Sequence, residues 1–374
     1  MSPGQSRHLE GLQYLRALGA LICALGHALY ILPSAPRLPL FGVEIFFVIS
    51  GFVTALAHRR LALSLPPRRR AALLLLGTMV RLLPLYWFAL LLSMLPWLVA
   101  WVNSADNFQA LYWNFGPRLQ GFLLDFLMIP RPNPDFGGLW RPHLLPGWTL
   151  NLQLVLSALF ALAMLAGRFQ LPALCTVITA MVAATALWPG APGLLQFYGQ
   201  PMSLAFLVGV LLHHAYCRWP PETRSLVLFL LLLFVAASGF VWAGLQGGSI
   251  ALTLVSAAGV WLFLGMPLAS GRWARLARQL GDGSYPIYLF HAALVFPLLQ
   301  WVLKLWSGGA GGMTAEVSPS ATGALLALYV VASALVGLLI HRALELPLLG
   351  FIRRRWRPES SRIRNGQFVT CDTP

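Results

Sequence analysis

The sequence has few charged residues for its length. Only 10% of its 374 residues are charged and 58% are hydrophobic, whereas roughly 25% of the residues in an ordinary soluble domain are charged. A soluble fold cannot cover its surface with so few charges, so the composition excludes that class. Apolar runs instead recur from one end of the chain to the other, which indicates one membrane domain.

Cysteines are also scarce, and several catalytic signatures are missing. The four cysteines are scattered along the chain and form no CxxC or Cys/His spacing, which argues against a disulfide framework and a zinc site. The sequence has no GxGxxG, Walker, GxSxG or HExxH motif. We therefore expect no metal centre and no ATP hydrolysis.

Acidic residues are outnumbered by basic ones, 11 to 26, which gives a net charge of +15. Such a balance can indicate nucleic-acid binding, but here the arginines cluster in short gaps between apolar runs, as in the cytoplasmic loops of membrane proteins. Basic stretches interleaved with aromatic residues, which would stack on bases, are absent. We expect no nucleic-acid partner.

The apolar runs predict an all-α, polytopic integral membrane protein with about ten transmembrane helices. A run of about 20 apolar residues crosses the hydrocarbon layer as a helix. Ten runs qualify: 12–32, 41–57, 80–101, 147–167, 171–188, 196–215, 225–243, 249–267, 284–303 and 323–341. A shorter run, 119–130, is interpreted as re-entrant or interfacial.

The positions of the arginines predict the orientation. With ten spans, most of the arginines fall on the side of the N-terminus, so the positive-inside rule places both termini in the cytoplasm. Residues 1–350 form the predicted membrane domain. Residues 351–374 form a basic cytoplasmic tail that we expect to be partly disordered.

Two ionisable residues share the first predicted span. Arg16 and His27 are eleven residues apart; at roughly 100° and 1.5 Å per residue they lie on one face of a helix, ~16 Å apart along its axis. An ionisable group inside a span is costly and is a functional-site hypothesis by default. The structural alternative is an arginine that snorkels to the interface and a histidine bonded to a backbone carbonyl.

Glu44 begins the second predicted span and Arg81 the third. Because the chain turns round between the first two spans, Glu44 lies near the depth of His27, where a carboxylate orients an imidazole that acts as a general base. Arg81 lies at the cytoplasmic depth of Arg16, and two arginines there would grip phosphate groups. The structural alternatives are an interfacial Glu44 and an ordinary flanking Arg81.

The ninth predicted span carries a third polar group, in LGDGSYPIYLFH. Tyr288 and His291 are three residues apart and share a helix face, and Tyr285 lies close by. Buried hydroxyls and an imidazole of this kind would line a sugar-binding site, whereas ordinary aromatic packing is the alternative. Asp282 and Ser284 are interpreted as the N-terminal cap of this helix.

Taken together, these segments resemble the membrane acyltransferase family 3, in particular the exopolysaccharide O-acyltransferases of bacteria. LQYLRALGALICALGH matches the family's Arg-x10-His motif at Arg16 and His27, and GVEIFFVISGF matches its second-span signature, with Glu44 where Asp is commoner. RLLPLYW, PGWTLN, LGDGSYPIYLFH and LELPL follow in the family's order. The matches run from about residue 10 to 350.

The resemblance implies an activity and a location. The donor is an acyl-CoA, usually acetyl-CoA, and the acceptor is a hydroxyl of a cell-envelope carbohydrate, either a polysaccharide or its lipid-linked precursor. His27 is the essential catalytic histidine, and Arg16 is a donor-binding or structural partner. The expected location is the bacterial inner (cytoplasmic) membrane, in contact with membrane lipid.

Two positions depart from the family pattern. The family often has an Arg-x-x-Arg pair before the third span, and here Thr78 takes the first position, which leaves Arg81 alone. The segment that commonly reads WSLxxE is WTLNLQ here, so Gln153 replaces a glutamate and keeps only its hydrogen-bonding capacity. We assign Trp148 and Gln153, together with Tyr285, Tyr288 and His291, to substrate binding.

These residues suggest a mechanism. The anionic end of CoA stays near Arg16 and Arg81 while the pantetheine arm threads along the first helix toward His27. His27, oriented by Glu44, either deprotonates the sugar hydroxyl or is itself briefly acylated. Two alternatives remain open: a transporter or flippase for a glycolipid or polyol that uses the same polar residues, and an inactive acyltransferase homologue.

Overall fold

A computed structural model describes residues 3–31, 42–61, 64–95, 119–134, 137–219, 248–265, 270–306 and 319–355. Within these ranges the regular structure is helical, as predicted, apart from a two-residue antiparallel pair of strands, β1 (Pro132–Asn133) and β2 (Leu139–Trp140). The helices are α1 Pro3–Ile31, α2 Gly42–Arg60, α3 Pro67–Ser93, α4 119–126, α5 Gly147–Ala163, α6 Gln170–Leu187, α7 Gly193–Tyr198, α8 Ser203–Arg218, α9 Gly248–Gly265, α10 Arg272–Asp282, α11 Ser284–Phe290, α12 Phe296–Trp306, α13 Pro319–Ile340 and α14 Leu346–Arg355.

Six stretches of the described residues are long and apolar enough to cross a membrane: Gly11–Leu29, Gly42–Arg60, Pro67–Ser93, Gly147–Leu187, Ser284–Val302 and Ala321–Ile352. The fourth stretch contains two helices, α5 and α6. Gly167, with φ 57° and ψ −119°, interrupts the helix between them. One predicted span, 225–243, lies outside the described residues. The count of ten spans and the cytoplasmic location of both termini remain predictions.

Two predicted spans begin or end elsewhere in the structure. The third helix starts at Pro67 rather than at residue 80, because a proline at the first helical position favours initiation, and the arginines that follow it belong to the first turn. Arg81 therefore lies in the middle of α3 and does not open the span. The predicted span 196–215 is divided into α7 and α8, since Pro201 disfavours helix at the residue before it.

The membrane domain packs around α1, which contacts α2, α9, α10, α11 and α13. One cluster of buried apolar side chains joins α1 and α2 to α5, α6, α8 and α9. A second joins α3 to α4, α5 and α11. Because α1 is unbroken from Pro3 to Ile31, the predicted placement of Arg16 and His27 on one helix is confirmed.

Helices α2 and α8 approach closely through glycines. A Cβ atom on Gly51 would lie 1.9 Å from the Phe206 carbonyl oxygen, and one on Gly209 would lie 2.0 Å from that of Val48. Small residues at such crossings allow two backbones to touch, which is how helices associate where no hydrophobic effect drives them together. The crossing fixes the position of α2, which forms one wall of the cavity described below.

Apolar side chains also cover parts of the outer surface. On α13, Leu328, Val331, Leu335 and Leu339 recur at helical spacing and are each more than half exposed. A soluble protein rarely exposes such a continuous apolar stripe, whereas lipid tails would cover it. This surface supports a multi-pass membrane protein.

The C-terminal boundary differs slightly from the predicted division. Helix α14 runs to Arg355, so it crosses the expected boundary at residue 350. Residues 356–374 lie outside the described residues, and the basic, partly disordered tail remains a prediction.

Candidate functional site

A cavity of about 500 Å³ lies between α1, α2, α3, α5 and α11. It follows α2 from Val43 to Arg60, which corresponds to about 26 Å of helix at 1.5 Å per residue. The volume falls in the range of roughly 300–1,000 Å³ found for small-molecule sites. The wall is mostly apolar, so a long and partly apolar ligand fits it.

Three arginines line this cavity: Arg16 from α1, Arg60 from the end of α2 and Arg81 from α3. The Arg16 Nη1 donates a hydrogen bond to the Gln13 Oε1 at 3.2 Å. None of the described lining residues is a carboxylate, so the positive charges are not neutralised within the cavity wall. Such a group of guanidinium ions favours an anionic ligand, and phosphate above all.

The cavity also has a set of polar side chains on α5 and α11. The Thr149 hydroxyl donates to the Pro146 carbonyl at 2.7 Å and lies 2.6 Å from the Tyr288 hydroxyl. Because a threonine hydroxyl has one hydrogen, Tyr288 must be the donor to Thr149, and its oxygen keeps a lone pair. Tyr285, in contrast, donates its hydroxyl to the Leu82 carbonyl at 2.6 Å.

Gln153 and Ser284 extend this polar surface. The Gln153 Nε2 donates to the Ser50 Oγ at 2.8 Å, which leaves the Gln153 oxygen available as an acceptor. Ser284 also lines the cavity, and its Oγ is buried without a hydrogen-bond partner. The interpretation of Ser284 as a helix cap is wrong, because Gly283 occupies the N-cap and no side chain caps α11.

The two histidines of the sequence motifs meet beside the cavity. The His27 Nδ1 lies 2.9 Å from the Cys23 carbonyl oxygen and 3.2 Å from the His291 Nε2. The His291 Nδ1 lies 3.1 Å from the Ile287 carbonyl oxygen. The ring centroids are 4.8 Å apart. His291 is fully buried, whereas His27 is partly exposed.

These contacts fix the positions of the ring protons. A carbonyl oxygen only accepts hydrogen bonds, so in each ring the nitrogen that faces the carbonyl must carry the hydrogen. The His291 Nε2 is then an acceptor, and it shares the His27 Nδ1–H with the Cys23 carbonyl. The His27 Nε2 is left with a free lone pair, the form of imidazole that removes a proton from a hydroxyl.

A chain of aromatic rings joins the cavity to the histidines. Tyr288 lies on the cavity wall, with its ring centroid 5.5 Å from that of Phe46 and 5.9 Å from that of His291. His291 in turn contacts His27. His291 is therefore one side chain away from the cavity and His27 lies directly behind it, although neither ring is among the described residues that line the cavity.

Glu44 lies in the first turn of α2 and is 5% exposed. Its helix packs tightly on α1 there, since a Cβ on Gly42 would lie 2.6 Å from the Cys23 Sγ and from the Gly19 carbonyl oxygen. Within the described part of the chain, no hydrogen bond or ion pair joins the Glu44 carboxylate to His27. The structure thus pairs His27 with His291, and a Glu44–His27 dyad remains a prediction.

Trp148, like His291, is an assigned binding residue that does not line this cavity. It lines a much smaller space, of about 10 Å³, with Tyr86, Asp125 and Arg141. This region is held together by polar contacts: the Tyr86 hydroxyl donates to the Asp125 carbonyl at 3.1 Å, and the Asp125 Oδ2 lies 2.8 Å from the His143 Nδ1. The contacts brace the chain between α4 and α5.

The predicted residues Arg16, Arg81, Tyr285, Tyr288 and Gln153 thus line one cavity, and His27 and His291 form one pair. The predictions missed Arg60. A signal for it was present, because Arg60 follows Phe46 and Val53 by fourteen and seven residues and so shares their helix face.

Comparison with known proteins identifies the family. The family of acyltransferase domains called acyltransferase family 3 matches residues 9–342. The exopolysaccharide production protein ExoZ of Rhizobium meliloti (strain 1021) is 28% identical over 316 residues, which cover 82% of this chain and 89% of that protein. No solved structure gives a significant match. Since the family match extends over nearly the whole chain, the protein belongs to acyltransferase family 3 and is a membrane acyltransferase.

Proposed function

We propose that the protein transfers an acyl group, specifically acetyl, from cytoplasmic acyl-CoA to a hydroxyl of an exopolysaccharide sugar or its lipid-linked precursor. The observation that carries this proposal is one cavity that has three arginines on its wall and that lies next to the His27–His291 pair, which Tyr288 joins to it. The family match supports an acyltransferase over the transporter alternative.

The cavity suits the donor. The phosphate groups of CoA would bind Arg16, Arg60 and Arg81, and each charge-assisted hydrogen bond contributes roughly 1.5–3 kcal/mol. The apolar wall along α2 would accommodate the pantetheine arm. The arm therefore follows α2, whereas the sequence suggested a path along α1.

The free nitrogen of His27 suits the transfer step. The acceptor oxygen attacks the thioester carbonyl carbon, so a C–O bond forms and the C–S bond breaks. The His27 Nε2 takes the proton of the acceptor hydroxyl and returns it to the thiolate of CoA. His291 supports the transient imidazolium by accepting its Nδ1–H.

The nature of the acceptor rests on the relative and on the polar surface. ExoZ is named for exopolysaccharide production, and the free acceptor atoms of Tyr288 and Gln153 suit sugar hydroxyls. The bacterial inner membrane is the proposed location, since a donor cavity that opens to the cytoplasm there would receive acyl-CoA directly. Trp148 is proposed to bind the acceptor outside the cavity.

The test is transfer of radiolabel by the purified protein in detergent. Wild-type protein is incubated with labelled acetyl-CoA and with exopolysaccharide whose ester groups have been removed by mild base. The proposal predicts label in the polysaccharide that mild base releases again, together with stoichiometric free CoA thiol. His27→Ala should abolish both products.

Leu18→Ala is the matched control, since Leu18 is exposed on the same helix and the change also truncates a side chain to alanine. It should transfer label like the wild type. Transfer by His27→Ala at a substantial fraction of the wild-type rate would overturn the role of His27. Absence of transfer in correctly folded wild-type protein, with every acyl-CoA and acceptor tried, would favour the inactive homologue.

A further inference from the structure

The cavity that Arg16, Arg60 and Arg81 line is called the acyltransferase cavity below. A second cavity, of about 260 Å³, lies on the other side of α2 from it. It is enclosed by the end of α2, the turn between α5 and α6, and α8. Its polar lining consists of Arg59, Arg168, His58, His213, His214 and Gln170. Arg59 and Arg60 are neighbours on α2 but line different cavities, because successive helix residues point about 100° apart.

The charged side chains that line this second cavity are all basic. It contains two guanidinium ions and three imidazoles, and no carboxylate among the described residues. The Arg168 guanidinium stacks over the Phe169 ring at 4.7 Å, which orients it without neutralising it. Within the described ranges, neither Arg59 nor Arg168 forms an ion pair. The site therefore favours an anion.

Two of the imidazoles also have an unused hydrogen-bonding atom. The Nδ1 atoms of His58 and His213 are buried and have no hydrogen-bond partner, and His213 is only 1% exposed. The His213 Nε2 is already 3.8 Å from the Cys217 Sγ, so its Nδ1 is the nitrogen left over. A buried polar atom without a partner costs roughly 1–3 kcal/mol, and a phosphate oxygen that reaches either nitrogen would remove that cost.

The arrangement of these groups decides the class of anion. Donors converge from three elements: Arg59 and His58 from α2, Arg168 from the α5–α6 turn, and His213 from α8. A carboxylate has two oxygens in one plane, whereas a phosphate group presents three oxygens to donors from several directions. The histidines do not provide a metal site, since no group of three metal-ligating side chains occurs in the described chain.

We propose that this second cavity binds a phosphate group, separately from the acyl donor. The end of α2 and the turn at Arg168 belong to the arginine-rich side of the membrane, which faces the cytoplasm in the predicted topology. Two sources of phosphate reach that position: a soluble phosphate compound and the headgroup of an anionic lipid. Their shared chemistry is a phosphate group with at least three unesterified oxygens.

The experiment measures the thermal unfolding midpoint of purified protein in detergent. In one arm inorganic phosphate is titrated against chloride at equal ionic strength. In the other, phosphatidic acid is compared with diacylglycerol, which differs from it only in lacking phosphate. A ligand that binds the folded state raises the midpoint, so either probe should raise it, and phosphatidic acid alone would do so if the natural source is a lipid.

The variants locate the effect. Arg168→Gln should weaken the apparent affinity at least tenfold, whereas Arg218→Gln, a change of the same kind on exposed α8 surface outside the cavity, should leave it within twofold. Arg81→Ala should also leave it unchanged, because Arg81 lines only the acyltransferase cavity. Loss of the phosphate effect in Arg81→Ala would assign the binding to that cavity and overturn the proposal.

His213→Leu should affect stability differently without phosphate and with phosphate. Without ligand the variant should be as stable as wild type or more so, because it removes an unpartnered buried nitrogen. With phosphate its midpoint should no longer rise. The proposal is wrong if neither probe stabilises the wild type, or if Arg168→Gln and His213→Leu respond to phosphate as the wild type does.

Discussion

His291 has a definable task if His27 is the base, and its replacement tests this directly. When the His27 Nε2 takes a proton, the ring becomes a cation that still donates its Nδ1–H to the His291 Nε2 at 3.2 Å and to the Cys23 carbonyl at 2.9 Å. A hydrogen bond to a charged group contributes roughly 1.5–3 kcal/mol. Since each ~1.4 kcal/mol changes a rate tenfold, His291→Phe should lower kcat roughly 10- to 150-fold.

The choice of phenylalanine separates chemistry from packing. Phenylalanine fills the volume of the fully buried ring and lacks only the acceptor and the donor. The KM for acyl-CoA should stay within twofold, because His291 is not among the residues that line the acyltransferase cavity. His291→Gln, whose amide oxygen accepts a hydrogen bond, should recover part of the lost rate.

The assay is acetyl transfer with both substrates varied, accompanied by the thermal unfolding midpoint of each variant. A wild-type kcat in His291→Phe would refute the charge-support role. Equal losses of rate in the phenylalanine and glutamine variants, together with equal losses of stability, would show that His291 only packs. In either case His27 would stabilise its positive charge through the Cys23 carbonyl or through Glu44.

Three further predictions concern the donor, the carboxylate and the packing. Arg81→Ala should raise the KM for acyl-CoA at least tenfold, since one charge-assisted contact is lost. Arg68→Ala, which changes an exposed arginine of the same helix outside the cavity, should leave that KM unchanged. Equal KM values for acyl-CoA in the two variants would exclude the phosphate contact. Glu44→Gln should lower kcat by ~10²–10⁴ if the carboxylate assists the base, and an unchanged rate would make Glu44 a structural residue of the α2 start. Gly209→Ala should lower stability by about 1–3 kcal/mol through overpacking. The control in thermal unfolding is Gly323→Ala, whose added methyl meets nothing within 4 Å. An equal effect of the two changes would mean that the α2–α8 crossing relaxes to accept the methyl group.

The sequence predicted what depends on neighbours along the chain. The helical membrane class followed from composition, and the spacing of Arg16 and His27 on α1 followed from the helical period. The family followed from ordered motifs. All three rest on local pattern, which is why the structure and the comparisons confirm them.

What the sequence could not predict is which helix faces which. His27 and His291 are 264 residues apart, and no periodicity within α1 or α11 indicates that the rings touch. Glu44 was paired with His27 from depth alone, and depth does not determine rotation about the helix axis. That pairing remains a prediction, while the contact of His291 with His27 was not foreseen. The start of α3 was misjudged for a different reason: three arginines after Pro67 suggested a loop, although a helix longer than the membrane can project them into water.

The glycine crossing of α2 and α8 has a consequence for biosynthesis. About 150 residues separate the end of α2 from Gly209, and at roughly 5–20 residues per second a ribosome takes on the order of 10–30 seconds to make them. During that interval α2 stands in the membrane with the backbone around Gly51 open and with the α8 wall of the second cavity missing. Another small-residue helix in the bilayer could occupy the same surface in that time. An insertase or chaperone that holds α2 until α8 arrives would therefore raise the yield of folded protein, and slower translation between the two helices would lower it.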